Sequence, residues 1–285
     1  MMLLYNILII IAVLLLTPIA VGLILGIDRK ITAKCQSRKG PPLLQPFFDL
    51  FKLFGKEHVI TNRWQYFCTY IYLVSAQLAI VLLFLGADLL LIFFVQASCA
   101  VFLVIGAMAV PSPYSQIGAH RELLQVLTYE PLLILIIIGI YMTTGSFMVD
   151  AVFAVNRPLL YDLPLMIVVL GYVLTIKLRK SPFDIASSHH AHQEIVRGVH
   201  TEFAGGNFGI VELAHWYEIG LALCLCMLFW VTSIWGALAV LAIAFFLEIL
   251  VDNISARMTW SWMLFHVWLV GFTLAAINLI WLYMR

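Results

Sequence analysis

Long apolar runs separated by shorter polar segments dominate the hydropathy pattern of this chain. Eight runs are candidate membrane crossings, since a helix needs about 20 mostly apolar residues to cross the hydrocarbon core. The tight turns "LGADL" and "WVTSI" predict that spans 2 and 3, and spans 6 and 7, form antiparallel hairpins. We therefore expect an all-α membrane protein of about eight transmembrane helices. The predicted spans are 3–25, 66–86, 89–110, 129–148, 159–177, 208–229, 232–250 and 261–284.

Two polar segments, about 27–65 and 178–207, are too long to be tight turns, and we expect them to be the large loops of one polytopic domain, 1–285. The first contains an amphipathic pattern that begins after the breakers "GPP" and predicts a helix at the membrane interface. Such a helix either anchors the loop to lipid or forms the roof of a cavity and the seat of a soluble partner. Its apolar face consists of Phe47, Leu50, Phe51 and Phe54.

Composition supports the membrane assignment. The 285 residues are 64% apolar and 11% charged, whereas a soluble domain has roughly half apolar and a quarter charged residues. The first apolar run has no basic leader and exceeds the core of a signal peptide, so we expect a retained first helix.

The placement of basic residues predicts the orientation. Of the 16 Lys and Arg side chains, 14 fall on one side of the predicted spans, and only Arg157 and Arg285 fall on the other. Because cytoplasmic loops are enriched in Lys and Arg, we expect both large loops in the cytoplasm and both termini outside.

The five cysteines are scattered without CxxC spacing, which gives no sign of an iron–sulfur or zinc–cysteine site. We expect no cofactor and no metal in this chain. The cysteines are Cys35, Cys68, Cys99, Cys224 and Cys226.

The second loop contains the densest titratable cluster, "SSHHAHQE". His189 and His192 have the spacing of two metal ligands, but a second, separated ligand pair is not evident. The alternatives are solvated loop histidines, or a polar junction in which His189, His190 and His192 exchange protons with Glu194 near neutral pH.

Ionisable residues inside the spans are more specific signals, because each is costly in hydrocarbon unless it is paired or hydrated. Each one either bonds to a neighbouring helix or, together with the others, lines a hydrated path. We expect a path because they occur in several spans. A nearby cation favours an ionised carboxylate, and the candidate cations are Lys177, Arg121 and Arg197. The intramembrane candidates are Glu130, Glu212, His215, Glu218, Glu248 and Asp252.

Several blocks of the sequence resemble the subunit 1 family of respiratory complex I. They are "RKGPPLLQPFFDLFKLFGKE", "YSQIGAHRELLQVLTYEP", "SPFD" and "FAGG", which occur in the family's order over nearly the whole chain. The "SHHAHQE" run after "SPFD" is similar to the membrane subunit of energy-converting nickel–iron (NiFe) hydrogenases of the Ech and CO-induced type. The resemblance implies eight transmembrane helices.

The same resemblance implies residue roles. Glu130 matches a proton-path carboxylate of the family, while Glu194 and Glu202 match acidic positions of its loop. His215 stands where the family has a glutamate in span 6, with Glu212 and Glu218 nearby. A junction with soluble redox subunits is implied for Arg38, Gln45, Asp49, Asp184, His189, His190 and His192.

The function that follows from the resemblance is that of an ion-translocating connector in the cytoplasmic membrane of a prokaryote, without catalytic residues of its own. It would couple ferredoxin-linked hydrogen chemistry to proton or sodium translocation. Expected partners are a NiFe hydrogenase large subunit, an iron–sulfur small subunit, an antiporter-like membrane subunit and the lipid bilayer, but no nucleic acid. The NiFe centre and the iron–sulfur clusters belong to those partners. Alternatives are a subunit of a quinone-reducing complex I relative or a formate hydrogenlyase, and a stand-alone ion transporter.

Overall fold

The computed structural model of the chain describes residues 2–57, 59, 61–187 and 197–285. Within them, seven helices are long and apolar enough to cross a membrane, and α7 is a shorter apolar helix. The expected all-α membrane protein with about eight spans is therefore confirmed. The described α-helices are α1 (Met2–Cys35), α2 (Gln45–Phe54), α3 (Arg63–Phe84), α4 (Leu89–Met108), α5 (Pro113–Thr144), α6 (Val149–Ala154), α7 (Pro164–Lys177), α8 (Gly205–Met227), α9 (Ile234–Ile254) and α10 (Trp260–Met284).

Helix α7 is shorter than the predicted span 5. Its 14 residues extend roughly 21 Å, which is less than the hydrocarbon thickness of about 30 Å. The helix begins at Pro164, whose missing N–H and fixed φ suit the first helical position. The preceding residues, Leu159–Tyr161, form a separate 3₁₀ turn.

Helix α5 begins well before the predicted start at residue 129, and the prediction of that boundary was wrong. One face of the polar first half of α5 is buried against the second loop. Gly118 packs so closely on this loop that a Cβ would clash with the Val199 nitrogen, and Gln125 donates a hydrogen bond to the Phe183 carbonyl at 2.5 Å. Glu130 consequently lies inside a continuous helix that also contains Pro131.

Helix α8 occupies the centre of the bundle and is the most buried of the long helices. It approaches α1 closely at Gly220, where a Cβ would meet Thr17 at 2.7 Å. Trp216 of α8 is buried and packs edge-on against Phe47 of α2, with ring centroids 5.5 Å apart. The amphipathic helix is therefore docked onto the central helix of the bundle.

The predicted apolar face of α2 is split between two environments. Leu50 is buried and Phe47 packs on Trp216, but Phe51 is 68% exposed and Phe54 is also exposed. The prediction of an amphipathic helix here is confirmed. Exposed aromatic rings beside a packed face are typical of a helix at a membrane interface.

Candidate ion-translocation site

A buried ion pair lies at the centre of the bundle. Lys177, the last residue of α7, donates from Nζ to Glu218 Oε1 of α8 at 3.0 Å, and the two residues are 8% and 5% exposed. Tyr72 donates to the other carboxylate oxygen at 2.8 Å, and Gln96 donates to Oε1 at 2.7 Å. These hydrogen bonds compensate part of the cost of removing two charges from water.

The ammonium group of Lys177 also faces a second carboxylate-bearing helix. Its Nζ lies 4.5 Å from the centroid of the Tyr129 ring in α5. Glu130 follows Tyr129 and is subject to the charge of Lys177. Its buried Oε1 has no hydrogen-bond partner among the described residues. One cation thus lies near two carboxylates on different helices. In such an arrangement the cation can change its partner from one carboxylate to the other.

His215 connects the ion pair with a cavity. Its Nδ1 lies 3.6 Å from Glu218 Oε2, one helical turn away. This separation exceeds a hydrogen bond, but a small movement or one bridging water closes it. His215 and Glu212 both line a cavity of about 460 Å³. The cavity opens on what we name the basic face, the side of the bundle where α1 ends and α10 begins.

Charged side chains of both signs line this cavity. Lys180 donates to Asp28 at 2.8 Å, and Asp252 accepts a hydrogen bond from the backbone N–H of Ser181 at 2.9 Å. A polar, partly paired lining of this kind holds water and ions rather than hydrocarbon. The ionisable residues of the lining are Asp28, Arg29, Arg38, Arg179, Lys180, Asp184, Glu212, His215 and Asp252.

A second cavity of about 240 Å³ lies beneath α2 and adjoins the first. The two share Leu25, Arg29 and Glu212 in their linings. Helix α2 contributes Asp49 and Lys52 to its wall. The amphipathic helix thus forms part of the boundary of this polar space.

Arg179 places a fixed positive charge at the cavity wall. Burial disfavours its charged form, but the negative charges of Glu122 and Glu218 among others outweigh burial and raise the pKa of Arg179. Its guanidinium donates to Ser187 Oγ at 3.0 Å, lies 3.7 Å from Glu122, and contacts His200. Arg179 therefore keeps its positive charge although it is buried.

Glu248 forms a separate buried site on α9. Thr175 donates to its Oε2 at 2.7 Å, and Gly171 leaves space for it beside α7. Asp252, one turn further along α9, lines the larger cavity. The predicted residues therefore form two groups, with His215 and Glu218 on α8 and Asp252 and Glu248 on α9.

Other predicted site residues lie apart from this centre. Glu202 is half-buried in the loop before α8, outside the lining of either cavity. Arg197 lines the smaller cavity and has its guanidinium 4.8 Å from the Phe208 ring centroid, while Arg121 lines a different cavity. Glu194, His189, His190 and His192 fall outside the described residues.

The predicted junction residues also lie in different environments. Gln45 donates to Asp49 at 2.8 Å within α2, and Asp49 also pairs with Arg29 at 2.7 Å. Arg38 is exposed at the rim of the larger cavity. Asp184 is buried, with Arg257 Nε 3.5 Å from its carboxylate.

Sequence reasoning missed Tyr72 and Gln96, which hold Glu218, and treated Lys180 only as an orientation signal. Gln96 had a detectable signal, since it is the only amide inside the apolar run of span 3. Within the described residues, no three His, Cys, Asp or Glu side chains form a group that could hold a metal ion.

Comparison with known proteins establishes the family. A family model described as NADH dehydrogenase matches residues 6–283. This chain belongs to the NADH dehydrogenase family. The resemblance drawn from the loop motifs is thereby confirmed. Within this family, hydrogenase-4 component C of Escherichia coli is 28% identical, over 93% of this chain and 90% of that protein.

Two further comparisons agree with the family assignment. An NADH-quinone oxidoreductase subunit of Syntrophotalea carbinolica is 28% identical, over 94% of this chain and 95% of that protein. A chain of the membrane-bound sulfane sulfur reductase, an archaeal respiratory membrane complex, superposes with a TM-score of 0.86 at 26% identity. That superposition covers 97% of this chain and 99% of the other.

Proposed function

We propose that this chain is the ion-translocating membrane connector of an energy-converting hydrogenase complex. The observation that carries the proposal is the buried Lys177–Glu218 pair, which His215 joins to a polar cavity on the basic face. Membership of the NADH dehydrogenase family supports it, as does similarity to a hydrogenase-4 component. In this proposal the redox centres lie in partner subunits, and this chain supplies the path for the ion.

The basic face is proposed to be cytoplasmic, with both termini outside. The positive-inside rule supports this orientation, because 14 of the 16 Lys and Arg residues lie on that side of the spans. The soluble NiFe large subunit and iron–sulfur small subunit would then dock over both cavities. An antiporter-like subunit would contact the chain within the membrane and receive the translocated ion.

Proton transfer begins at the larger cavity. A proton held by Glu212 or by water in the cavity passes to His215, and from there to Glu218. Protonation neutralises Glu218 and leaves Lys177 without its counter-charge, which is costly in a buried site. Lys177 then turns towards Glu130, whose Oε1 has no hydrogen-bond partner in the part of the chain that the structure describes.

Redox turnover drives the cycle through the second loop. In the proposal, a change of charge in the docked subunits shifts the loop that carries Glu194 and Glu202. This loop also contains Arg179 and Lys180, whose charges line the cavity. Moving these cations changes the affinity of the cavity carboxylates for protons, because a nearby positive charge favours their ionised form.

A quinone-reducing complex is the second candidate function, and the cavities favour it. The larger cavity, of about 460 Å³, falls within the size range of small-molecule sites and adjoins the smaller one. An NADH-quinone oxidoreductase subunit is among the relatives. A photoreactive quinone analogue distinguishes the two functions. Labelling of Leu25 or Leu50, which line the space beneath α2, would support the quinone-reducing function.

The test of the proposed function uses the intact complex in inverted membrane vesicles. Glu130→Gln removes the carboxylate that receives Lys177, so ion uptake per hydrogen evolved should fall by roughly 100-fold, as for loss of a positioned proton-transfer group. Hydrogen evolution should continue. Glu57→Gln, an exposed carboxylate on the same face, is the matched control and should behave as wild type.

Two outcomes contradict the proposal. One is wild-type uptake per hydrogen in the Glu130→Gln complex. The other is purification of the chain without hydrogenase subunits, together with solute transport by the chain alone in vesicles. Sensitivity of the uptake to a protonophore or to a sodium ionophore identifies the ion.

A further inference from the structure

A cavity of about 320 Å³ lies on the side of the bundle opposite the basic face. Three connecting regions enclose it: the turn between α3 and α4, the short helix α6, and the connection between α8 and α9. Its wall consists of apolar side chains, such as Leu83, Met227 and Val231, together with Asp150 and Cys224. It shares no lining residue with the two cavities of the ion-translocation site, so it is a separate space.

Helix lengths place this cavity at the boundary of the hydrocarbon core. Helices α3 and α9 have 22 and 21 residues, or roughly 32 Å of helix, which is about the hydrocarbon thickness. Phe84 is the last residue of α3, and Ile234 is the first residue of α9; both line the cavity. The cavity therefore lies where these helices leave the hydrocarbon, at headgroup level.

Exposed apolar and aromatic side chains surround the mouth of the cavity. Phe84, Phe153 and Ile234 line it, and each is exposed by half or more. Trp235, which follows Ile234, is also exposed, and tryptophan is enriched at the headgroup level of membranes. An apolar surface of this kind marks an interaction site, and at this depth lipid acyl chains would cover it.

Backbone hydrogen bonds fix the position of Asp150 at the cavity. Asp88 and Met148 form an antiparallel β-bridge, flanked by two backbone hydrogen bonds of 2.9 and 3.1 Å, which holds the start of α6 against the α3–α4 turn. In this turn Gly86 has a φ of +74°, and a Cβ there would clash with the carboxylate of Asp150. The carboxylate is therefore held against the turn while Asp150 remains exposed at the cavity.

The carboxylate of Asp150 lies on the side of the protein that is poor in cations. Of the 16 Lys and Arg residues, only Arg157 and Arg285 fall on this side of the spans, and both pair with Asp162. Neither of them lines the cavity. A positively charged group that enters the cavity would complement Asp150, and one with N–H donors would form a charge-assisted hydrogen bond with it.

We propose that this cavity binds a glycerophospholipid whose headgroup carries a primary ammonium group, as in phosphatidylethanolamine. The ammonium donates to Asp150, and an acyl chain fills the apolar part of the cavity beside Met227 and Val231. The quaternary ammonium of phosphatidylcholine lacks N–H donors, and the headgroup of phosphatidylglycerol lacks a positive charge. The cavity should therefore prefer phosphatidylethanolamine to phosphatidylcholine, and phosphatidylcholine to phosphatidylglycerol. The proposed orientation determines only which leaflet supplies the lipid.

The test uses the purified complex in nanodiscs that contain phosphatidylethanolamine with a photoreactive acyl chain. Mass spectrometry should find the label on the peptide that contains Met227 and Val231. Unlabelled phosphatidylethanolamine should compete with this labelling more strongly than phosphatidylcholine does, and phosphatidylglycerol should compete least. Asp150→Asn should reduce the advantage of phosphatidylethanolamine over phosphatidylcholine by roughly fivefold, since an ion pair at an exposed carboxylate contributes modestly.

Asp88→Asn is the matched control. Asp88 is a neighbouring carboxylate outside the lining of the cavity, and it accepts a hydrogen bond from the Leu90 N–H at the start of α4. Asparagine is an equally good residue at this helix position, so the control should keep the wild-type lipid preference.

Three results would overturn the proposal. The first is equal competition by phosphatidylethanolamine and phosphatidylcholine in the wild-type complex, and the second is an unchanged preference in Asp150→Asn. The third is absence of label from the lining of the cavity in the assembled complex, which would indicate that a partner subunit covers it. If Asp150→Asn does not assemble, Val231→Phe decides the question: it narrows the apolar part of the cavity and should reduce the labelling, and undiminished labelling would contradict the site.

Discussion

Two buried carboxylates, Glu218 and Asp162, are both paired with cations, but their surroundings differ. Asp162 is 1% exposed and lies 2.9 Å from Arg157 and 2.8 Å from Arg285. Both arginines have side chains more than half exposed. Glu218, in contrast, has a buried cation, Lys177, as its partner.

The surroundings determine what each carboxylate can do. The Asp162 carbonyl accepts from Asn278 Nδ2 at 3.0 Å, so this cluster ties the start of α7 to the end of α10. Glu218 has a titratable neighbour on one side, His215, and a buried lysine, Lys177, on the other. Burial of an ion pair therefore does not by itself indicate a path for ions. Glu218 differs from Asp162 because it lies next to a further titratable group, His215, which in turn lines a cavity.

The largest effect on stability and on ion uptake is expected from Glu218→Gln. The substitution leaves the ammonium of Lys177 buried without a counter-charge, which costs about 3–5 kcal/mol for a broken buried pair. Ion uptake in vesicles should be lost at the same time. The measurements are the melting temperature of the purified complex and the uptake per hydrogen evolved. A variant that keeps both wild-type values would remove the distinction between Glu218 and Asp162.

A smaller effect, on the passive proton conductance, is expected from a substitution on the apolar side of Glu218. Beyond Gln96, apolar side chains of α4, α5, α7 and α8 surround a cavity of only about 30 Å³. A void this small with a single polar neighbour stays largely dry. Ile136→Asn adds a second polar group there and should raise the passive proton conductance of vesicles in the absence of turnover. Ile136→Val is the control, and equal conductance in both variants would show that this region is not the barrier.

Asp162→Asn should affect stability without affecting transport. The substitution weakens two charge-assisted hydrogen bonds and should lower the free energy of unfolding by about 1–3 kcal/mol. Uptake per hydrogen evolved in the complex that does assemble should equal the wild-type value. Reduced uptake per hydrogen would place Asp162 on the ion path and contradict a purely structural role in linking α7 to α10.

The smallest effect on stability is expected for the exposed pair of Arg29 and Asp49. Their 2.7 Å separation is shorter than that of Lys177 and Glu218, yet both side chains are nearly half exposed. Surface pairs contribute only about 0–1 kcal/mol, so Asp49→Asn should shift the melting temperature little. A shift as large as that of Glu218→Gln would show that distance, rather than burial, determines the contribution.

The sequence predicted the spans better than it predicted their ends. Apolar runs located the seven long spans and the shorter helix α7, because a helix that crosses a bilayer must be mostly apolar. The polar first half of α5 escaped prediction because Gln125 is buried by a long-range contact with Phe183. Hydropathy cannot distinguish such a buried polar segment from one at the interface.

The candidate site was predictable only in part. Glu218 and Lys177 were both selected as ionisable residues in or beside apolar runs, since their cost in hydrocarbon makes them conspicuous. Their hydrogen-bond partners were not, because Tyr72 and Gln96 lie on other helices, 146 and 122 positions from Glu218. Contacts of such long sequence separation arise from helix packing and leave no local pattern.

The central claim is tested most directly by ion uptake in vesicles containing Lys177→Gln with Glu218→Gln. This double variant removes both charges together, so the protein keeps a neutral, hydrogen-bonded core and avoids the unpaired ammonium of the single variant. We expect the complex to assemble and to evolve hydrogen without ion uptake. Wild-type uptake per hydrogen in this double variant would contradict the account.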